Sequence, residues 1–251
     1  MPIQTVFLDA GGVLVWPNWV RISETLARHG VHAPADLLAS SEPRAKKRLD
    51  TGATIQATND RQRGWTYFNL VLEEAGLPLS PATDAALAEL HEYHQHANLW
   101  ELVPTDVRPS LAALRNCGVR LVVVSNANGR LHHLFDRLNL LDAFDYVFDS
   151  HNEGVEKPDP RYFAIALARS GAIAAETIHV GDLYHVDVAG ARGAGITPVL
   201  FDVADLYPEA DCLRVRSLGE LPGLVGRVGQ VGQVGQVGQV GQVGRNSEPK
   251  T

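Results

Sequence analysis

The sequence has little of what disulfide-bonded and membrane-spanning proteins require. Its 2 cysteines, Cys117 and Cys212, are too few for a disulfide framework. No stretch approaches the ~18 consecutive apolar residues that a transmembrane helix needs. The opening residues, MPIQTVFLD, lack the basic segment and the long apolar run of a signal peptide. These absences predict a cytoplasmic protein without a membrane partner.

Positive charge is also scarce. The chain has 22 lysine and arginine residues against 29 acidic residues, which gives a formal net charge of -7 at pH 7. Most of such a surface repels nucleic acid and anionic membranes, so we expect neither as a partner. A ligand that carries phosphate must then be attracted locally, by a bound metal ion or by a suitably placed lysine. The sequence gives no indication of the oligomeric state.

Short apolar runs alternate with longer segments of helical pattern between about residues 103 and 224. This alternation predicts a parallel β-sheet covered by helices, and therefore an α/β fold. With 45% hydrophobic residues, the 251-residue chain can bury a full core. The predicted strands are Thr5–Leu8, Val119–Val124, Tyr146–Phe148, Thr177–Val180 and Thr197–Phe201.

A long segment without strand character separates the first strand from the others. Its apolar residues recur at helical spacing, as in Trp65, Phe68 and Leu72, and runs of β-branched residues are absent. We therefore expect an inserted helical domain. The predicted division of the chain is a first core segment at 1–16, the helical insert at 17–98, a second core segment at 99–224 and a low-complexity tail at 225–251.

The predicted tail repeats Val-Gly-Gln from Val225 to Gly244, interrupted only by Arg227. Glycine at every third position is typical of collagen, but the repeat contains no proline, which argues against a triple helix. A glycine-rich segment of this kind buries too little apolar surface to offset its ordering entropy. We predict that it is disordered and has no catalytic role.

Polar side chains follow the apolar runs, at the strand ends where parallel sheets bind their ligands. Together they suit phosphoryl transfer: a carboxylate can attack phosphorus, a hydroxyl or amide can hydrogen-bond phosphoryl oxygens, and a lysine can stabilise the transition state. Carboxylates and main-chain carbonyls are also the oxygen ligands that Mg²⁺ prefers. The residues are Asp9, the carbonyl near Gly11, Ser125 with Asn126, Lys157 in GVEKPDP, and Asp182 with Asp187.

In this order, the motifs DAGGVL, SNANG, EKPDP and GDLYHVD resemble those of the haloacid dehalogenase superfamily. The resemblance extends from Thr5 to about Leu221. It implies a Rossmann-like three-layer sandwich with a parallel sheet, and it implies that the helical insert is a C1-type cap that sets specificity. Asp9 would be the nucleophile, Ser125 the phosphate-binding hydroxyl and Lys157 the catalytic lysine.

The resemblance also implies a metal ion and a reaction. Mg²⁺ would be bound by Asp9, Asp182, Asp187 and the carbonyl of Gly11, while Ser125, Asn126 and Lys157 would bind the substrate. Together these residues form the candidate site. The expected reaction is hydrolysis of a small phosphorylated metabolite through an aspartyl phosphate on Asp9.

One position departs from the pattern. Phosphatases of this family usually carry D-x-D after the first strand, where the second Asp is the general acid and base, but this chain has Gly11 there. A glycine cannot donate a proton, and a positioned acid or base is worth ~10²–10⁴-fold in rate. Two alternatives therefore stay open: a metal-independent 2-haloacid dehalogenase, and a member of the family that only binds its ligand.

Other conspicuous side chains have simpler interpretations. Three histidines share one predicted helix of the insert, where we expect a solvated face and no metal site; they are His91, His94 and His96. His185 lies within the fourth motif, so it is a candidate for the missing proton donor, although a helix-face role is favoured. Trp16 and Trp19 are expected to pack, with substrate contact as the alternative.

Overall fold

The computed structural model describes residues 1–226, which form an α/β fold built on a parallel sheet. Its strands are β1 (Thr5–Leu8), β2 (Trp16–Pro17), β3 (Trp100–Leu102), β4 (Arg120–Ser125), β5 (Tyr146–Asp149), β6 (Thr177–Gly181), β7 (Thr197–Phe201) and β8 (Leu213–Val215). Its α-helices are α1 (Trp19–Arg28), α2 (Ala35–Leu49), α3 (Gly52–Ala57), α4 (Asp60–Glu74), α5 (Pro81–Ala97), α6 (Val107–Asn116), α7 (Leu131–Arg137), α8 (Ser150–Glu153), α9 (Pro160–Ser170) and α10 (Ala189–Gly193).

The main sheet has six parallel strands in the order β5-β4-β1-β6-β7-β8. Leu8, at the end of β1, is in register with Val123 of β4 and Val180 of β6. This register brings the residues that follow the three strands to one edge of the sheet. The strands expected from the apolar runs are confirmed. Strand β8 was not expected, because its residues LRV are few and begin with the exposed Leu213.

Alternation of side chains along the strands produces two buried faces and three layers. Val6 and Leu8 of β1 pack into one core, whereas Phe7 points to the opposite face. On that opposite face, Phe7 packs with Tyr162 and Phe163 of α9. Both faces of β1 are therefore covered, which is why its sequence is continuously apolar. The expected Rossmann-like sandwich is confirmed.

The helical insert, defined as α1 to α5, has a hydrophobic core of its own. Asn59 and Ser80 begin α4 and α5 with capping boxes, in which each side chain accepts a hydrogen bond from the backbone three residues on. Short strands β2 and β3 pair in antiparallel fashion where the chain enters and leaves the insert. No helix among residues 1–226 is long and apolar enough to cross a membrane.

Asp50, which follows α2, joins the insert to the main sheet. Its buried carboxylate accepts hydrogen bonds from the backbone N–H groups of Tyr184 (2.6 Å) and His185 (2.9 Å) and from the hydroxyl of Tyr207 (2.8 Å). Tyr184 begins a π-helical turn, Tyr184–Val188, that follows β6. The contact therefore positions the insert directly above the loop that carries Asp182 and Asp187.

The packed structure extends beyond the boundary expected at residue 224. Val225 is only 6% exposed and belongs to the same core as Leu224. The side chain of Val225 therefore packs with the core, one residue past the expected boundary. The Val-Gly-Gln repeats from residue 227 onward lie outside the described residues.

We expect Val225→Ala to lower the free energy of unfolding by about 1–3 kcal/mol, because it removes buried methyl groups and leaves a cavity. Val203 is 42% exposed and provides the matched control, so Val203→Ala should change stability by less than about 0.5 kcal/mol. Urea unfolding of both variants measures the difference. Equal effects of the two substitutions would contradict the packing of Val225.

Candidate active site

The strand-end residues line a cavity of about 750 Å³ between the edge of the main sheet and the helical insert. This volume is within the usual range for small-molecule sites. The core contributes Asp9, Gly11, Ser125, Asn126, Lys157 and Asp182 to the cavity lining. Asp187 is buried and does not line the cavity, but it contacts Lys157 from behind. The fold thus brings together the residues that the four motifs contribute to the candidate site.

Asp9 presents one free carboxylate oxygen. Its Oδ1 accepts hydrogen bonds from the backbone N–H of Ala10 (2.8 Å) and from Nζ of Lys157 (2.9 Å). Within residues 1–226, Oδ2 accepts no hydrogen bond from a protein donor. The two contacts hold the carboxylate in one orientation, so Oδ2 remains available to attack a ligand in the cavity.

Lys157 is buried and held at both ends. Its backbone N–H donates to Oδ1 of Asn126 (2.8 Å), and its carbonyl accepts from Nδ2 of Asn126 (3.0 Å). At the other end, Nζ contacts Asp187 at 2.7 Å and Asp9 at 2.9 Å. Burial disfavours the ammonium, but the carboxylates of Asp187 and Asp9 outweigh that effect and raise the pKa of Lys157 above its ordinary value. The lysine is therefore charged at neutral pH.

Asp187 is fully engaged by neighbouring donors. Oδ1 contacts Lys157 and Nε2 of His179 (2.9 Å), and Oδ2 accepts from the backbone N–H of Leu183 (3.1 Å). Burial opposes ionisation, but Lys157 and His179 hold the pKa of Asp187 well below its usual range. Burial lowers the pKa of His179, so the neutral ring must carry its proton on Nε2 to donate to the carboxylate.

Asp9, Asp182 and Asp187 form an acidic cluster in which one oxygen of each carboxylate lies within 4.8 Å of the others. Burial, and the like charges of Asp9 and Asp187, raise the pKa of Asp182 to about 7, although Lys46 opposes the shift. Hard oxygen donors at this spacing suit a divalent cation. Gly12 has a φ of +72° beside Asp182, and a Cβ there would collide with the carboxylate.

Lys46 of the insert is a site residue that sequence reasoning missed. Its Nζ reaches across the cavity to Oδ2 of Asp182 (2.7 Å) and also contacts Oε1 of Glu42 (3.0 Å), one helical turn earlier. Burial disfavours its charge, but Asp182 and Glu42 raise the pKa of Lys46 above its usual value. Lys46 belongs to the basic run KKR, and no sequence pattern there distinguishes it from its neighbour Lys47.

Ser125 and Gly11 leave space for a ligand. Ser125 is buried at the end of β4, and its Oγ makes only a long contact, 3.4 Å, with the carbonyl of Asn126. Gly11 faces Trp100 of β3, whose indole atoms Cδ1 and Nε1 lie 3.5 Å from the position that a Cβ would take. This is ordinary van der Waals contact, so the backbone at Gly11 tolerates a side chain.

The structure also tests the expectations about single histidine and tryptophan residues. His185 does not line the cavity; its Nδ1 lies 3.0 Å from the carbonyl of Asp50, so the ring is committed to the contact between insert and core. The solvated face expected for the insert histidines is wrong for His91 and His94, which are partly buried and line the cavity, whereas His96 is exposed. Trp16 and Trp19 pack into the two cores and do not line the cavity.

Comparison with known proteins places this site in a family. The model of the haloacid dehalogenase-like hydrolases matches residues 3–195. A ribulose-1,5-bisphosphate 5-phosphatase of Halopiger xanaduensis is 33% identical over 195 residues, which cover 72% of this chain and 79% of that protein. A glyceraldehyde 3-phosphate phosphatase of Pyrococcus abyssi is 33% identical over 136 residues, 54% of this chain and 56% of the relative.

A solved structure agrees with these matches. The 2-haloacid dehalogenase of Pseudomonas syringae pv. Tomato DC3000 superposes with a TM-score of 0.57 at 26% identity, over 90% of this chain and 99% of that chain. The family model covers the first strand, the insert and the loops that carry Asp9, Lys157 and Asp182. The chain therefore belongs to the haloacid dehalogenase-like hydrolases, as its four motifs predicted.

Proposed function

We propose that this hydrolase is a Mg²⁺-dependent phosphate monoesterase that uses Asp9 as its nucleophile. The observation that carries the proposal is the setting of Asp9, which lines the cavity while Ala10 and Lys157 hold its Oδ1 and no described residue donates a hydrogen bond to its Oδ2. The phosphatase names of the two relatives support the same reaction class. Its substrate is then a small phosphorylated metabolite.

The reaction has two steps on this arrangement. Oδ2 of Asp9 attacks phosphorus, the bond from phosphorus to the ester oxygen breaks, and an aspartyl phosphate forms. Water then hydrolyses the aspartyl phosphate and regenerates the carboxylate. Lys157 lies beside the attacking carboxylate, where its charge stabilises the negative charge of the transition state. Ser125, whose hydroxyl has no short hydrogen bond, is free to donate to a phosphoryl oxygen.

Mg²⁺ fits the donors that are present. Asp9 and Asp182 would hold it, with the carbonyl of Gly11, and when bound it would offset the repulsion between carboxylate and phosphate. Asp187 would act differently, because both of its oxygens already accept hydrogen bonds from protein donors. Its role would be to position Lys157. Asn126 would likewise position Lys157, because its amide is paired with the lysine backbone.

The helical insert would act as the cap of the site. It covers the strand-end loops, supplies Lys46 to the cavity and contributes no nucleophile. Covering elements of this kind exclude water and select the substrate. The insert should therefore control which ester reacts, whereas the loops after β1 and β6 carry the chemistry.

A 2-haloacid dehalogenase is the second candidate, because one structural relative carries that name. The acidic cluster favours the phosphatase, because a dehalogenase that needs no metal would use Asp9 to attack and Asp187 to position Lys157 but would leave Asp182 without a role. A non-catalytic role is supported only by Gly11. The free oxygen of Asp9 is the feature that argues against it.

We expect Asp9→Asn to abolish hydrolysis of an activated aryl phosphate, because an amide is a poor nucleophile. EDTA should have the same effect on the unmodified protein, and added Mg²⁺ should restore the rate. Phosphate release measures both. Asp36→Asn, at an exposed position of α2, is the matched control and should retain full activity. Unchanged turnover in EDTA would contradict the phosphatase, and chloride release from a 2-chloroacid under those conditions would establish the dehalogenase instead.

We expect Lys46→Met to increase the stabilisation that Mg²⁺ provides. Without metal, the substitution leaves Asp182 and Glu42 unpaired, which should cost about 3–5 kcal/mol of stability. A divalent cation at Asp182 would replace the missing charge, so Mg²⁺ should raise Tm more in this variant than in the unmodified protein.

Lys47→Met is the control for this comparison, because Lys47 is the next residue and makes a more exposed ion pair with Glu209. It should lose about 1 kcal/mol or less, and its response to Mg²⁺ should equal that of the unmodified protein. Thermal unfolding with and without Mg²⁺ measures these shifts. An identical Mg²⁺ response in all three proteins would mean that Asp182 does not hold the metal.

We expect Gly11→Asp to accelerate hydrolysis of alkyl phosphates by up to ~10²-fold, because it restores a proton donor for a poor leaving group. The gain should shrink for aryl phosphates, whose oxygens leave without a proton. The contact distance of 3.5 Å to Trp100 indicates that a side chain fits at this position. Gly11→Ala controls for the backbone and should show no selective gain. A Gly11→Asp variant that folds, binds Mg²⁺ and shows no such gain would mean that another group already supplies the proton.

A further inference from the structure

Aromatic rings of α4, α5 and β3 form a continuous wall on the side of the cavity that faces Gly11. We call Tyr67, Phe68, His94 and Trp100 the aromatic wall. The centroid of Trp100 lies 5.5 Å from that of Phe68, 5.4 Å from that of His94 and 5.9 Å from that of Tyr67. All four residues line the cavity. A second pair, Trp65 and His91, extends the lining at a centroid distance of 4.8 Å.

Because Gly11 has no side chain, none stands there between the aromatic wall and the nucleophile Asp9. Gly11 lies only two residues after Asp9, and the pyrrole edge of Trp100 is the nearest group to its missing Cβ. Among residues 1–226, the indole N–H of Trp100 takes part in no hydrogen bond, so it is available to an oxygen of the ligand. A leaving group on phosphorus at Asp9 would therefore meet an aromatic surface.

The charges around the wall argue against a second anionic group on the substrate. Lys46 is paired with Asp182 and Glu42, and the buried Arg63 is paired with Glu156 and donates to the carbonyl of Thr58. Arg61 has no ion pair among the described residues, but it is exposed, so solvent screens its charge. The insert thus offers no buried cation that is free for a second phosphate or a carboxylate.

His94 adds to the apolar character of the wall. Its Nδ1 accepts a hydrogen bond from the backbone N–H of Leu99 (3.1 Å), so that nitrogen carries no proton. Burial lowers the pKa of His94 to about 4. The ring is therefore neutral at neutral pH and packs against Trp100 as an uncharged aromatic group.

We propose that the aromatic wall beside Gly11 binds a flat, uncharged aromatic leaving group, so that the substrates are phosphate monoesters of phenol-type alcohols. The proposal rests on the phosphatase function proposed above and names its substrate class. Two independent features agree on it. A phenol-type oxygen leaves without the proton that Gly11 cannot supply, and its ring packs on Trp100 and Phe68 in the offset or edge-on geometry that aromatic pairs favour.

The test must separate recognition of the ring from reactivity of the ester. An aryl phosphate is therefore compared with a fluorinated alkyl phosphate whose leaving group has the same pKa. The unmodified protein should hydrolyse the aryl ester with a kcat/KM about tenfold higher, and most of the difference should lie in KM. Equal kcat/KM values for the two esters would overturn the proposal.

Substitutions of Trp100 test whether the aromatic wall causes the preference for the aryl ester. Trp100→Leu should reduce the aryl preference toward one, whereas Trp100→Phe, which keeps a ring, should retain most of it. Acetyl phosphate has no ring and a good leaving group, so the unmodified protein should hydrolyse it whatever its preference between aryl and alkyl esters. If the unmodified protein does not hydrolyse acetyl phosphate, the phosphatase function itself is refuted. If the preference for the aryl ester survives in Trp100→Leu, only the role of the aromatic wall is refuted.

Inhibitor binding provides a measurement that does not depend on the variants. Phenylphosphonate and methylphosphonate carry the same anionic group and differ in the ring. With Mg²⁺ present, we expect phenylphosphonate to inhibit the unmodified protein with a Ki about tenfold lower than that of methylphosphonate. Equal inhibition constants would overturn the aromatic site even if Trp100→Leu failed to fold.

Discussion

The structure depends on one buried charge, the ammonium of Lys157. A lysine in a protein interior is stable only when carboxylates compensate for its lost hydration, and here Asp9 and Asp187 do so at 2.9 and 2.7 Å. These contacts connect the loop after β1, the loop before α9 and the turn after β6. Removing either carboxylate would leave the ammonium partly uncompensated, so the site and the stability of the sheet edge are coupled.

The three carboxylates of the site differ in the hydrogen-bond donors and cations that they contact. Asp187 accepts hydrogen bonds from Lys157, His179 and Leu183, and no oxygen of it is left over for a ligand. Asp9 has two donors on one oxygen and none among the described residues on the other. Asp182 is opposed by a single cation, Lys46, which belongs to the insert. In the proposed mechanism, hydrogen bonding alone would therefore separate positioning by Asp187, attack by Asp9 and cation binding by Asp182, although the three side chains are chemically identical.

Sequence patterns predict the part of this site that belongs to the strands. Asp9 and Asp182 follow short, mostly apolar runs, and a parallel sheet brings the ends of such runs to one edge. Lys46 and Trp100 could not be predicted, because their positions depend on how the insert packs over the sheet, and local periodicity carries no information about that contact. His94 was misjudged for the same reason: its helix face is polar in sequence but covered in the folded chain.

Gly11 of the core affects both the chemistry of the site and the surface that a leaving group contacts. A carboxyl at this position would occupy the space in front of Trp100 and supply a proton, whereas glycine leaves the indole edge exposed to the cavity. The loss in proton transfer is smallest for leaving groups that are already acidic, and phenol-type oxygens combine that acidity with a ring that the wall can contact. The missing proton donor at Gly11 and the aromatic wall consequently favour the same substrates, the phosphate esters of phenols.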